Sequence, residues 1–148
     1  MTCRAGLVGG QRMFLLDTNI LSYWMRGDAS VIERIRRRAP SELGMAAITL
    51  AEILYGIEKS PIKKSARRAR LEAIAATISL WPFDAKAAGD YAAIRTVLER
   101  LGIVIGERDL QIAAIARANG FTVVTHNVKE FERVPGLNVE DWAASDAI

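Results

Sequence analysis

Three acidic residues stand where apolar stretches of this sequence give way to polar ones. Asp17 closes the run Met13-Phe14-Leu15-Leu16 and is followed by Thr18 and Asn19; Glu52 follows Ile48-Thr49-Leu50-Ala51; Asp109 follows Gly106-Glu107-Arg108. Carboxylates gathered in one place repel one another unless a cation lies between them or one of them keeps a proton. A hard divalent ion such as Mg²⁺ is bound by one or two carboxylates together with waters and substrate phosphates, and this set can provide that. Zinc is a poorer match, because the chain has one cysteine, Cys3, and one histidine, His126, and so no Cys or His pair.

The acids can act together only if the fold brings them to one edge. Met13 to Leu16 reads as a first strand with Asp17 at its C-terminal tip, and Ile20 to Met25 as a short helix capped by Thr18 or Asn19 and ended by Gly27. Asp28 or Ser30 can cap a helix carrying Val31, Ile32 and Ile35. Leu43 to Ala47 reads as a second strand, and Thr49 opens a helix with Glu52 in its first turn. Pro61 begins a basic amphipathic helix, and Leu80 to Phe83 is a brief edge strand, since Pro82 would not be tolerated in a central one. Asp84 caps a helix that ends at Gly102; another runs from Gly106 through Asp109 to Asn119-Gly120; Phe121 to Thr125 and Leu137 to Val139 complete the strands. Strands alternating with helices imply right-handed βαβ crossovers, an α/β fold and a parallel sheet covered on both faces. In such a sheet Asp17, Glu52, Asp109 and Asn127 fall at the same end, where open sheets place their ligand sites.

Each acid also has a purely structural reading. Thr49 and Glu52 have capping-box spacing. Asp109 can complement a helix dipole, although it aligns with Ile112, Ala113 and Ala116 on an inward face, where an isolated charge is expensive. Asp17 can cap the helix that follows it. The functional case rests on the coincidence of the three. A single histidine, His126, argues against a ribonuclease that uses two imidazoles, and the lack of a Gly-x-Ser-x-Gly elbow argues against a Ser-His-Asp triad; His126 reads as a loop residue near the site. Trp24, Trp81 and Trp142 read first as core or surface-packing residues, although Trp24 is close enough to Asp17 in sequence to stack on a base.

With 148 residues, 51% hydrophobic and 25% charged, the chain can bury the core of a single domain without disulfides. Cys3 can form no internal bridge, and no apolar run spans a bilayer, so a cytoplasmic protein is expected. Residues 1–12 are glycine-rich and unlike the strand that follows. They read as an extension without fixed structure, with Met13 an alternative start and 13–148 the folded domain. The net charge of +3 is compatible with an anionic partner. Its cations are clustered at Arg34, Arg36, Arg37 and Arg38 and again at Lys59, Lys63, Lys64, Arg67, Arg68 and Arg70. Such runs are commonly solvated helix faces, but they suit phosphates if they rim a site.

Taken together, Leu15-Leu16-Asp17-Thr18-Asn19, Ile48-Thr49-Leu50-Ala51-Glu52-Ile53-Leu54-Tyr55-Gly56, Gly106-Glu107-Arg108-Asp109 leading into Ile112-Ala113-Ala114, and Thr125-His126-Asn127 leading into Glu130-Phe131 resemble the PIN-domain ribonucleases, specifically the VapC-type toxins of bacterial toxin-antitoxin pairs. The resemblance runs from Met13 to about Trp142. It implies a three-layer α/β/α sandwich with a mostly parallel sheet of four to five strands, Mg²⁺ or Mn²⁺ as cofactor, and endonucleolytic cleavage of RNA, with tRNA a reasonable target. By the same resemblance Asp17, Glu52 and Asp109 are the catalytic, metal-site residues, Asp17 and Asp109 the direct ligands, and Thr18, Asn19, Thr125 and Asn127 support them. Lys59, Lys63, Lys64, Arg67, Arg68 and Arg108 are candidate RNA contacts. A VapB-type antitoxin that masks the site and a toxin homodimer are implied as partners, with no membrane association. Two departures stand out: Asn127 occupies the family's fourth acidic position, and Glu107-Arg108 replaces a Pro and a small or apolar residue. Rival readings are a phosphatase with an aspartyl nucleophile, which usually needs a second Asp where this chain has Asn19, and a non-catalytic RNA-binding module.

Overall fold

The computed structural model describes residues 12–143; the expected N-terminal extension, Cys3 included, lies outside them apart from Arg12. Five short strands, β1 (Phe14–Leu16), β2 (Leu43–Ala46), β3 (Ser79–Trp81), β4 (Thr122–Val124) and β5 (Asn138–Glu140), form one all-parallel sheet in the order β3-β2-β1-β4-β5. Seven helices connect them: α1 (Thr18–Met25), α2 (Ala29–Arg36), α3 (Ala47–Lys59), α4 (Lys64–Ala75), α5 (Ala85–Arg100), α6 (Glu107–Asn119) and α7 (Val128–Phe131).

The strand order explains which face each helix covers. The chain steps one way from β1 to β2 to β3, then crosses back over β1 to β4 and continues to β5. With right-handed crossovers the two directions place their helices on opposite faces. The core divides accordingly. Phe14, Leu16, Leu43, Met45 and Val124 point to the face covered by α1 to α4 through Ile20, Val31, Ile53, Ile57 and Leu71. Leu15, Ala46 and Val123 point to the face covered by α5, α6 and α7 through Ile94, Leu98, Ile112, Ile115 and Phe131. Neighbours along a strand therefore alternate between two cores, as period-2 geometry requires of strands buried on both sides. The expected three-layer sandwich is present, with β3 at the edge and Pro82 outside it.

The reversal of direction falls between β1 and β4, and the crevice at the C-terminal ends of those two strands is the topological switch point of the sheet. Register continues past the ladder there: Asp17 N–H donates to Val124 O at 2.8 Å, so Asp17 and Thr125 emerge side by side from paired strands.

Several sequence expectations shift in detail. The second strand ends at Ala46 and α3 begins at Ala47, two residues before Thr49. Its N-cap is Ala46, so Thr49 and Glu52 form no capping box, and Glu52 lies in the second turn. Burial decides this: Thr49 is fully enclosed and serves the helix interior, not its end. The fourth helix begins at Lys64, three residues after Pro61 and directly after a turn at Ile62 and Lys63. A short helix, α7, occupies the polar stretch after His126. Among the described residues no helix is long and apolar enough to cross a membrane.

Candidate active site

Asp17 is held by both of its oxygens. Its Oδ1 accepts from the Thr18 N–H at 2.7 Å, and its Oδ2 accepts from the Thr125 hydroxyl at 2.7 Å. Thr125 Oγ1 in turn accepts from the Asn127 N–H at 2.9 Å. Asp17 is thus the N-cap of α1, as its structural reading anticipated, and also a carboxylate only 3% exposed at the floor of a cavity. Burial pushes its pKa up, the Thr125 and Thr18 bonds oppose that, and the Glu52 charge adds to it.

Glu52 reaches the site from α3. Its Oε1 accepts from Thr18 Oγ1 at 2.7 Å, and its Oε2 pairs with Arg108 at 2.8 Å. Asp109, in the first turn of α6, has a sparser environment: one long contact, from Asn127 Nδ2 at 3.4 Å. Its pKa is raised to about 6, first by burial and then by the charges of Asp17, Glu130 and Glu52. Asp17, Glu52, Asp109 and Asn127 together with Thr18, Asn19 and Tyr23 line one cavity of about 460 Å³. The structure therefore brings together the three acids and three of the four supporting residues, and the fourth, Thr125, anchors Asp17 from beneath.

Other candidates separate. Asn19 Oδ1 accepts from the His126 N–H at 3.1 Å, so it clamps the loop after β4 to α1. His126 is exposed, its ring 3.0 Å from Asp141 Oδ2 and edge-on to Tyr23 at 5.8 Å. Trp24 packs against the core, and Tyr23 is the aromatic that faces the cavity. Of the basic run, Lys64 and Arg68 are tied to Glu58 at 3.3 and 2.7 Å, Lys59 lies over the Tyr55 ring, and Lys63, Arg67 and Arg70 line a second cavity beside the first.

Glu130 was not singled out as a site residue, yet its charge acts on Asp109, and its Oε1 is buried without a hydrogen-bond partner. It lies three residues after Asn127, on the short helix α7. That i, i+3 offset was the available signal, and it was hidden because the stretch reads as an irregular polar loop.

This donor set fits a hard cation. It consists of oxygen ligands, it includes an orphaned buried carboxylate oxygen, and it carries uncompensated repulsion around Asp109, which an ion would relieve. Among the described residues no three or more His, Cys, Asp or Glu side chains are grouped closely enough to hold a metal ion by themselves; Mg²⁺ is bound through one or two carboxylates, with waters and substrate phosphates as its other ligands.

The PIN domain family model matches residues 14–137. The chain is 39% identical over 131 residues to a tRNA(fMet)-specific endonuclease VapC from Shigella flexneri, covering 88% of this chain and 98% of the relative. It is 36% identical over 132 residues to ribonuclease VapC2 from Rickettsia felis, with the same coverage. A solved structure of DNA-bound VapBC from Salmonella typhimurium superimposes with a TM-score of 0.82 at 34% identity, covering 89% of this chain and 99% of that one.

Proposed function

Since this chain belongs to the PIN-domain family and, within it, to the VapC ribonucleases, we propose that it is an endoribonuclease toxin that hydrolyses RNA phosphodiester bonds with Mg²⁺ or Mn²⁺ and is held inactive by a VapB-type antitoxin. The observation that carries this reading is the convergence of Asp17, Glu52 and Asp109 on one cavity at the switch point of a parallel sheet. The relatives named as ribonucleases or as a tRNA(fMet)-specific endonuclease support RNA, and specifically tRNA, as substrate. The VapBC complex supports an antitoxin as partner. A homodimer, a cytoplasmic location and a single folded unit over 13–148 complete the reading.

Asp17 and Asp109 are the direct ligands in this proposal, with Glu130 a further carboxylate whose charge acts on Asp109. Glu52, engaged on both oxygens, orients Thr18 and adds negative charge from outside. When bound, the ion supplies activation of a water for in-line attack at phosphorus and offsets charge on the leaving oxygen. The residues of the chain do the positioning. Thr125 and the Thr18 N–H fix the Asp17 carboxylate, and Asn127 bridges the β4 tip to Asp109, so two ligands on different elements keep one separation. Attack by water leaves a 5′-phosphate and a 3′-hydroxyl.

The test is end-mapping of RNA treated with purified, antitoxin-free protein. Mg²⁺-dependent cleavage to 5′-phosphate ends, lost in excess EDTA, is expected. Full activity in EDTA, or 2′,3′-cyclic phosphate ends, would sink the proposal.

A further inference from the structure

Two cavities flank the acid site, both bordered by Glu52, and their charges differ. The groove between α1, α3 and α4 has a volume of about 720 Å³ and shares Thr18, Ser22 and Arg26 with the neighbourhood of Asp17. Its charged lining is Arg26, Lys63, Arg67 and Arg70 against the single carboxylate Glu52. The cavity on the other flank, about 590 Å³, is lined by Glu52, Glu107 and Asp109, and its one cation, Arg108, is already paired to Glu52.

We propose that the cationic groove is a phosphate track for single-stranded RNA on one side of the scissile bond, and that the acidic flank contributes no comparable grip. This rests on the ribonuclease reading above. Arg67 and Arg70 stand i, i+3 on α4, where neighbouring side chains are about 5–6 Å apart, and Lys63 lines the same groove from the residue that precedes the helix, so one flexible strand can meet the three in turn. The other cations of α4, Lys64 and Arg68, are drawn away to Glu58. Among the described residues Lys63 is the one non-glycine with positive φ, at 50°, and it sits at the start of α4 beside the groove; strain of this kind gathers at binding sites. RNA fits better than an acidic peptide because the track leads to Tyr23, with the Arg26 guanidinium 5.0 Å from its ring centroid. An aromatic face with a stacked cation is a surface that unpaired bases use.

The experiment measures fluorescence anisotropy of a fluorescein-labelled mixed-sequence single-stranded RNA 12-mer in EDTA across a NaCl series. The variant Lys63→Gln/Arg67→Gln/Arg70→Gln should raise Kd by about tenfold or more and lower the log–log salt slope by about 2, the share of three phosphate contacts on a single strand. A charge-matched variant on the opposite face, Lys86→Gln/Arg95→Gln/Arg100→Gln on α5, should stay within about twofold of the parent. Lys63→Gly relieves the left-handed backbone while removing a cation, so weaker binding with no fall in melting temperature excludes a folding defect. Equal losses in the two triple variants, no loss in either, or displacement of RNA by an acidic dodecapeptide at equal concentration would overturn the track. Sidedness is read with Mg²⁺ on a mapped substrate: trimming one side of the cut should lower kcat/KM by about tenfold or more and trimming the other should not, whereas symmetric loss overturns it. RNA that binds in this way but is never cut supports the track and defeats the ribonuclease reading instead.

Discussion

The two edges of the acid cavity are built on opposite plans. At the tips of β1 and β4, Asp17 has both oxygens satisfied at 2.7 Å by Thr18 and Thr125, and Thr125 is itself fixed by the Asn127 amide. At the starts of α6 and α7, Asp109 has one long contact, and Glu130 keeps a buried oxygen without a partner. The first edge is finished by the protein itself. The second leaves a half-buried carboxylate uncompensated: burial first, and then the charges of Asp17, Glu130 and Glu52, raise Asp109 to about 6. One ligand is thus preorganised and the other is left to be completed, so binding energy can be directed to the half of the site that the fold leaves open.

The comparison breaks first on catalysis. Asp17→Asn and Asp109→Asn should each lower RNA cleavage by about 10³-fold or more, on the order of 4 kcal/mol of transition-state stabilisation. Retained cleavage in either variant would remove that carboxylate from the reaction. Thr125→Val keeps the shape but strands Asp17 Oδ2 and the Asn127 N–H, and should cost about 2–3 kcal/mol of stability; a loss below about 0.5 kcal/mol would mean the edge is not preorganised through Thr125.

The sequence disclosed the first edge well and the second poorly, for a physical reason. Asp17 follows an uninterrupted apolar strand, and the alternation of β1, β4 and their flanking helices fixes the sheet end at which it emerges. Asp109 could be placed because a charge aligned with Ile112, Ala113 and Ala116 needs a purpose. Glu52 was assigned to the right element but the wrong turn, since the side chains around Thr49 look alike whether they cap a helix or pack inside it, and only burial separates the two. Glu130 escaped because a four-residue helix has no periodicity to read. The same limit applies to the cations: composition shows a basic run, but which of its members face the site depends on the turn at Lys63 and on the pull of Glu58.

The open edge should respond to metal and proton together. In calorimetric titrations with Mn²⁺ between pH 5 and 8, affinity should be flat above about pH 7 and weaken by about tenfold per unit below about 6, because binding must release the Asp109 proton. A pH-independent affinity would show that Asp109 does not take part.

The smallest effect is also the most specific to this asymmetry. In the metal-free protein the folded-state pKa of Asp109 lies near 6, above its ordinary 3.8, so the native state holds that proton more tightly than the unfolded chain does. Stability then falls as pH rises from about 4 to about 6, and the penalty is fully present above that range. Asp109→Asn removes it. Because the side chain is only partly buried, solvent screening reduces the gain to about 1 kcal/mol at pH 7.5. It should vanish below about pH 4 and be lost again once Mn²⁺ stabilises the parent but not the variant. Parallel pH–stability curves for the two proteins, measured by urea unfolding in EDTA, would mean that the second edge is as well satisfied as the first.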